Sequence, residues 1–577
     1  MAGDGNQVPD NIEPIRQDIM MITTEKEGCR NLAALLAAHG IRRAVLSPGS
    51  RNAPLLVAFS REPRIKTYVV VDERTAAFMA LGMTRRLDEP VALVCTSGSA
   101  LLNYAPAVSE AYYSRVPLLV VSADRQPEWI DQDDSQTIRQ HGVLASIVKK
   151  YCSVPEITDP ATRWYHNRLI NDAVLAATAQ PCGPVHINVP LGEPLCGLKE
   201  YVADDTPRTV AKLVPDEYLS DGAMAPFVRR MSEVRKVMVV AAMSQPDEAL
   251  NRALSRLAAL PNVVVLTETI ANLADGRFIP TIDRVLASVD RDDPAYAPDL
   301  LLTVGGALVS RMLKVYLREW HPEHWYVGVT DRVIDTMQSL SVQVAVSPDK
   351  FISRLADAVS GVEGEYSRLW KSKEAEAEAF HERYIADAPW CDLKAFSYIL
   401  PAIPAGTALQ LSNGTSIRYA QLFRCGQVSR CDANRGVCGI DGSTSTALGA
   451  SCVDENMTLL ITGDMSFAYD ANGLSTAYNT PRFKVIVMCN GGGGIFRFIK
   501  GPSELDELES CFEVHRDLPA EKYADLYGFR FFRADSEASL VGQLPLFFDE
   551  KERPALLAVE TPHELNSEIL KGYFVRK

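Results

Sequence analysis

Short runs of apolar, often β-branched residues alternate with segments of helical spacing along the first 195 residues. IRRAVLS (41–47) and TYVVV (67–71) read as strands, and RTAAFMALGMTRRL (74–87) puts Ala77, Phe78 and Leu81 on one helical face. VALVC (91–95) is the next strand, followed by the polar turn TSGS, a helix from about Ala100 to Tyr113 and the strand PLLVVSA (117–123). Alternation at this spacing predicts a parallel sheet with helices on both faces. The pattern returns less sharply over 205–365, where KVMVVAA (236–242), NVVVLTE (262–268) and DLLLTVGG (299–306) are strand candidates. It returns again in the last third, where TLLITG (458–463) and FKVIVMCN (483–490) flank a helix near Ala471–Tyr478. The charged segment SRLWKSKEAEAEAFHERY (367–384) suits a solvated connecting helix without chemistry.

A single core rarely grows past about 250–300 residues, so 577 residues imply two to four domains. The pattern divides into a loose N-terminal extension (1–22) and three domains, 23–200, 205–365 and 385–577. The extension lacks the basic start and apolar run of a signal peptide, and Met20 or Met21 could serve as alternative starts. VALVCTSGSALLNYAPAVSEAYY lies over MTLLITGDMSFAYDANGLSTAYN at an offset of 366 residues, with Thr96/Thr462, Ala105/Ala471, Ser109/Ser475, Ala111/Ala477 and Tyr112/Tyr478 coinciding. This echo fits either two domains of one ancestry or the general likeness of strand-turn-helix units.

A formal net charge of −14 argues against general affinity for nucleic acid or acidic membranes, and leaves room for a small anionic ligand held by local arginines. No apolar run is long enough to span a bilayer. The 12 cysteines form no C-x-x-C pair and no zinc spacing, which suits buried, reduced thiols in a cytoplasmic protein.

Chemistry concentrates in GDMSFAYDANGLSTAYNTPRFKVIVMCNGGGG (463–494), where Gly-Asp follows a strand and Asn490 lies 26 residues after Asp464. This string resembles the diphosphate-binding motif of thiamine-diphosphate (ThDP) enzymes. The resemblance implies a Mg²⁺ (or Mn²⁺) ion bound by Asp464, Asn490 and the carbonyl near Gly492, three oxygen donors of the six that Mg²⁺ takes. The family usually shows two Asn at this point, and Cys489 replaces the first. VVVDERTAAF (69–78) holds an acid at a strand end; beside the first motif, Glu73 matches the family's glutamate against N1′ of the aminopyrimidine, and Asp72 is expected to cap the helix.

A narrower resemblance follows. SPGSRNAPL (47–55), DER (72–74), TSGSA (96–100), SADRQPEWIDQDDSQTIRQ (122–140), GPVHINVPLGEPL (183–195), NRGVCGIDGSTSTALG (434–449) and GDMSFAYD…NGGGGIF (463–496) are similar, in order, to segments of the 2-succinyl-5-enolpyruvyl-6-hydroxy-3-cyclohexene-1-carboxylate (SEPHCHC) synthases of menaquinone biosynthesis. The middle region matches chiefly at GGALVSRML (305–313). The resemblance implies an α/β fold of three doubly wound parallel-sheet domains. It implies decarboxylation of 2-oxoglutarate and 1,4-addition of the succinyl carbanion to isochorismate. Ser50, Arg51, Arg125, Ser135, Gln136 and Arg418 would contact substrate, Arg435 would face the acceptor, and Arg311 would supply a basic group from the middle domain. Ile440 would prop the cofactor into its bent form, with Asp441, Gly463, Met465, Ser466 and Ile495 also lining its site; Ile495, Phe496 and Ile499 would form an apolar wall. Gly414 and Ser135 stand where relatives often carry Ser and Asn. The family builds each site from two chains, implying a homodimer or homotetramer. The alternatives are another ThDP carboligase or decarboxylase of the acetolactate-synthase type, and a catalytically inactive relative.

Overall fold

The computed structural model describes residues 20–202, 207–215 and 217–575. Residues 1–19, most of the expected extension, lie outside the described residues, whereas Met20–Ile22 belong to a strand, β1 (Met20–Thr24). Six strands follow: β2 (Arg43–Leu46), β3 (Lys66–Val69), β4 (Val91–Cys95), β5 (Leu118–Asp124), β6 (Lys150–Ser153) and β7 (Val185–Pro190). They form one parallel sheet in the order β3-β2-β4-β5-β7-β6. Every residue of β4 and β5 is buried, because helices cover both faces; this is why they read as unbroken apolar runs rather than alternating ones. β8 (Leu198–Val202) pairs antiparallel with β1.

β9 (Val237–Ala241), β10 (Val263–Thr267), β11 (Leu300–Val304), β12 (Glu323–Val327) and β13 (Leu340–Val344) make a five-stranded parallel sheet, β10-β9-β11-β12-β13. The last sheet comprises β14 (Ala408–Leu411), β15 (Arg430–Ala433), β16 (Thr458–Gly463), β17 (Phe483–Cys489), β18 (Arg530–Ala534) and β19 (Ala555–Glu560), in the order β15-β14-β16-β17-β19-β18. Counted from the first strand of each sheet, both six-stranded sheets run 2-1-3-4-6-5. β4 and β16, the third strand of each, are the two strands that the sequence echo superposes.

The two like sheets meet through the helices Glu73–Leu87 and Ser443–Ser451. Glycine makes the approach possible. A Cβ on Gly82 would lie 2.0 Å from the carbonyl oxygen of Thr446, and one on Gly449 2.0 Å from that of Met79. The two contacts are reciprocal, each glycine meeting the carbonyl three residues before the other, as a local pseudo-twofold rotation between the helices relates them.

Several elements differ from the sequence pattern. The helix expected over 100–113 is two, Ser99–Asn103 and Ala105–Ser114, divided at Tyr104 ahead of Pro106. No α-helix covers 471–478; the α-helix is Asp464–Asp470, and Ala471–Ser475 is a single 3-10 stretch over the poor helix formers Asn472 and Gly473. The charged helix, Tyr366–Asp387, is more than a solvated connector. It buries Trp370 in the middle-domain core, and its His381 Nδ1 lies 2.6 Å from the hydroxyl of Tyr573 in the C-terminal region. All twelve cysteines are free; five are buried, but Cys196, Cys438 and Cys511 stand exposed on segments outside the sheets. Among the described residues no helix is long and apolar enough to cross a membrane.

Candidate active site

β16 and β17 are parallel neighbours, with Gly463 opposite Met488. Their next residues, Asp464 and Asn490, therefore emerge side by side at the carboxyl edge of the sheet, where open α/β sheets receive ligands. Asp464 is 4% exposed. Its Oδ2 accepts the backbone N–H groups of Gly491 (2.8 Å) and Gly492 (3.0 Å), and its Oδ1 that of Met465 (2.7 Å). Burial pushes the Asp464 carboxyl up to about 6 despite those three donors, and nearby Asp392 pushes the same way. The loop needs its glycines. Gly491 and Gly492 have φ of 87° and 133°, and a Cβ on Gly492 would sit 2.5 Å from the carbonyl oxygen of Glu513.

Asn490 is held at two atoms. Its Nδ2 donates to Asp392 Oδ2 (2.8 Å), and its main-chain oxygen accepts from Nδ1 of His563 (2.6 Å). Nε2 of His563 lies 3.0 Å from Oε2 of the fully buried Glu513, whose Oε1 lies 2.7 Å from Arg497 Nε. A cleft of about 550 Å³ opens over this edge, lined by Asp464, Asn490, Gly491, His515 and His563 among others.

The remaining expected cofactor residues surround the same helix start. Ser466 donates to the carbonyl oxygen of Ile440 (2.6 Å), and Ile440 is 37% exposed. Gly463, Met465 and Asp441 are half-buried. The loop before Ile440 is clamped from helices of the N-terminal domain: Glu110 accepts the N–H groups of Gly436 (2.9 Å) and Val437 (2.8 Å), and is itself paired with Arg85 (2.6 Å). Ile495, Phe496 and Ile499 are half-buried on or beside the 3-10 turn Gly494–Phe498, with the Phe496 ring against Phe512.

Glu73 opens its helix, capped by Asp72, which accepts from the N–H groups of Arg74 (2.9 Å) and Thr75 (3.2 Å) as the sequence predicts. The Glu73 carboxylate accepts only from Asn103 Nδ2 (3.3 Å) among the described residues. Its neighbours reach the C-terminal domain, Asp72 to Asn472 and Arg74 to the carbonyl of Tyr469, but Glu73 has no bond to Asp464, Asn490 or Ile440.

The arginines fall into two groups. In the first, Arg51 donates to the Leu191 carbonyl and pairs with Glu193 (both 3.1 Å), and Arg125 pairs with Asp134 (3.0 Å) and donates to the Ser135 carbonyl (3.3 Å). Ser50, Ser135 and Gln136 are exposed beside them. Gln140 ties this loop to the sheet, donating to Asn188 Oδ1 (2.8 Å) and accepting from Gly98 N–H (2.8 Å). The second group is Arg311, Arg418 and Arg435. Burial, then Arg435 and Arg311, hold the Arg418 guanidinium below its usual pKa, while Asp283 opposes them, so Arg435 and Arg311 each stand within electrostatic reach of Arg418. Arg435 donates to Asn413 Oδ1 (2.8 Å). Glu268 accepts the N–H groups of Val309 and Ser310 (2.8 Å each), fixing the start of the helix that carries Arg311. Gly414 has φ 99° and ψ −134°, a conformation that a serine would adopt only with strain. No bond joins the two groups among the described residues.

The sequence reading did not find Asp392, His563, Glu513, Arg85, Glu110, Glu268 or Gln140. Each acts through a contact distant in sequence; Gln140 lay inside a quoted family motif, and Arg85, Glu110 and Glu268 inside strings read only for secondary structure or for the internal echo.

The chain is 44% identical over 562 residues to the 2-succinyl-5-enolpyruvyl-6-hydroxy-3-cyclohexene-1-carboxylate synthase of Porphyromonas gingivalis, a match covering 96% of this chain and 97% of that protein. The chain belongs to the SEPHCHC synthase family. Other SEPHCHC synthases are similar over nearly the same span: that of Christiangramia forsetii at 37% identity (94% of this chain, 98% of the relative), and that of Bacteroides thetaiotaomicron at 33% (96% and 99%). Residues 26–143 match the family model described as thiamine pyrophosphate enzyme, N-terminal TPP binding domain. That stretch contains Glu73 and both arginines of the first group, whereas the relation to the SEPHCHC synthases takes in both groups.

Proposed function

We propose that this chain is a ThDP-dependent transferase that decarboxylates 2-oxoglutarate and adds the succinyl unit to isochorismate, forming SEPHCHC in menaquinone biosynthesis. The observation that carries the proposal is that Asp464 and Asn490, the residues that follow β16 and β17, lie at one sheet edge, with Asp464 Oδ2 accepting the N–H groups of Gly491 and Gly492, in a chain related end to end to SEPHCHC synthases. The domains are taken as 23–200, 205–365 and 385–577, each containing one parallel sheet.

The donor set fits Mg²⁺ or Mn²⁺. Asp464 is a buried carboxylate raised by desolvation, which a cation would offset; Asn490 Oδ1 has no partner among the described residues; the Gly492 carbonyl accepts one bond, from Gly494 N–H (2.8 Å), and keeps a second lone pair. ThDP, when bound, supplies a nucleophilic carbon and an electron sink. Glu73 would hold a proton at N1′ of its aminopyrimidine. Ser466 holds the Ile440 carbonyl and Glu110 holds the turn before it, so Ile440 would be a fixed support for the cofactor, and Ile495, Phe496 and Ile499 would keep water from the reacting carbon. Arginine forks bind carboxylates bidentately, so the two groups would orient the anionic substrates, with Ser50, Ser135 and Gln136 adding hydrogen bonds.

The resemblance to the SEPHCHC synthases supports a site built from the N-terminal domain of one chain and the C-terminal domain of another, in a homodimer or homotetramer. Twelve free thiols favour the reducing cytoplasm. The test is product formation by the purified protein with ThDP, Mg²⁺, 2-oxoglutarate and isochorismate, read by loss of isochorismate absorbance and by mass spectrometry. Consumption of both substrates with appearance of the succinyl adduct is expected. Turnover of pyruvate alone would reassign the chain to an acetolactate-type reaction, and ThDP binding without turnover of any 2-oxo acid would mark an inactive relative.

A further inference from the structure

We infer that Asp392 decides which end of the Asn490 amide faces the cation, and is a positioning residue for the metal; this rests on the cofactor site proposed above. Asp392 is the first residue of the helix Asp392–Ala402 and is 1% exposed. Its orientation is over-determined. Oδ1 accepts from Thr561 Oγ1 (2.6 Å), Oδ2 accepts from Asn490 Nδ2 (2.8 Å), and its own N–H donates to Asn566 Oδ1 (2.7 Å).

Both carboxyl oxygens of Asp392 act as acceptors, from Thr561 Oγ1 and Asn490 Nδ2, so the carboxyl group faces the NH₂ end of the Asn490 amide. The oxygen end of Asn490 then points the other way and remains without a partner among the described residues. The alternative orientation differs by a half-turn that leaves the amide's shape almost unchanged, so packing alone discriminates weakly between the two. The turned amide would aim N–H dipoles at a cation. His563 pins the main-chain oxygen of Asn490 (2.6 Å), which leaves the amide rotation as the freedom that Asp392 controls. Groups that orient a ligand in this way are typically worth 10–100-fold in metal affinity.

Mn²⁺ binding to the purified full-length protein at saturating ThDP, followed by the EPR signal of free Mn²⁺, tests this without turnover. Asp392→Leu is expected to raise the Mn²⁺ dissociation constant about 10–100-fold. Asp392→Asn is expected to stay within about threefold of wild type, because its amide oxygen still accepts from Asn490. Asp392→Leu combined with Asn490→Asp is expected to recover, since a carboxylate presents oxygen at either end. An Mn²⁺ dissociation constant for Asp392→Leu within about threefold of wild type would overturn the inference, as would failure of the double variant to recover. If Asp392→Leu does not hold its fold by circular dichroism, the exchange Asp392→Asn with Asn490→Asp replaces it; near-normal Mn²⁺ affinity is expected, and a loss of about tenfold or more overturns the inference. Wild-type protein that binds no Mn²⁺ with ThDP would remove the cofactor site itself, and this inference with it.

Discussion

Glu73 combines partial exposure, a helix-start position and a single weak partner, the Asn103 amide at 3.3 Å. Replacing it by Gln keeps the shape and removes the acid. Turnover of Glu73→Gln should fall by roughly 10²–10⁴-fold with an unchanged melting curve, and proton exchange at the thiazolium C2, followed by NMR, should slow in parallel. Glu268 shows a different use of a carboxyl group. Burial pushes it up to about 7, the N–H groups of Val309 and Ser310 pull it down, and Asp283 and Arg435 act in opposite senses. Because the folded value lies above the unfolded one, the stability it contributes is complete below about pH 4.5 and is lost as pH rises through about 7. Glu268→Gln has no such titration. Its melting temperature should therefore move in its favour relative to wild type between about pH 5 and about pH 8, and a constant difference across that range would refute the burial argument.

At the scale of elements, the contact between the helices Glu73–Leu87 and Ser443–Ser451 is set by two glycines that each meet a carbonyl oxygen. Adding one methyl group forces the backbones apart, and overpacking of this kind typically costs about 1–3 kcal/mol. Gly82→Ala and Gly449→Ala should lower the melting temperature by similar amounts, because each makes the same contact from opposite sides of the pseudo-twofold axis. The strands and these two helices were legible in the apolar pattern, since burial on both faces leaves long unbroken runs. The break at Tyr104 and the short helix Asp464–Asp470 were less so: Pro106 and the pair Asn472–Gly473 are local signals that the apolar pattern overrode, and Gly473 also packs against Ser445. The site was legible where cofactor chemistry demands fixed spacing, as between Asp464 and Asn490. The supporting residues were not, since Asp392 and His563 lie 98 and 73 positions from Asn490 and only folding brings them together.

For the whole molecule, the two like sheets and the separated arginine groups lead to a mixing experiment. Glu73→Gln and Asp464→Ala damage opposite halves of the proposed site. If each site draws on two chains, co-expressed variants carrying different tags should regain about a quarter of wild-type activity, because half of randomly assembled dimers are mixed and each mixed dimer has one undamaged site. A site contained in one chain would show no recovery. The strand order 2-1-3-4-6-5 occurs twice, and the superposed segments place Gly98 of the first half where the second has Asp464. The two like sheets therefore carry different groups at equivalent edges: an acid in the C-terminal half and a hydrogen atom in the N-terminal half. The two equivalent sheet edges of one chain thus differ in charge, so a divalent cation is expected at one of them alone, and metal analysis of the ThDP-loaded protein should find one Mg²⁺ per chain.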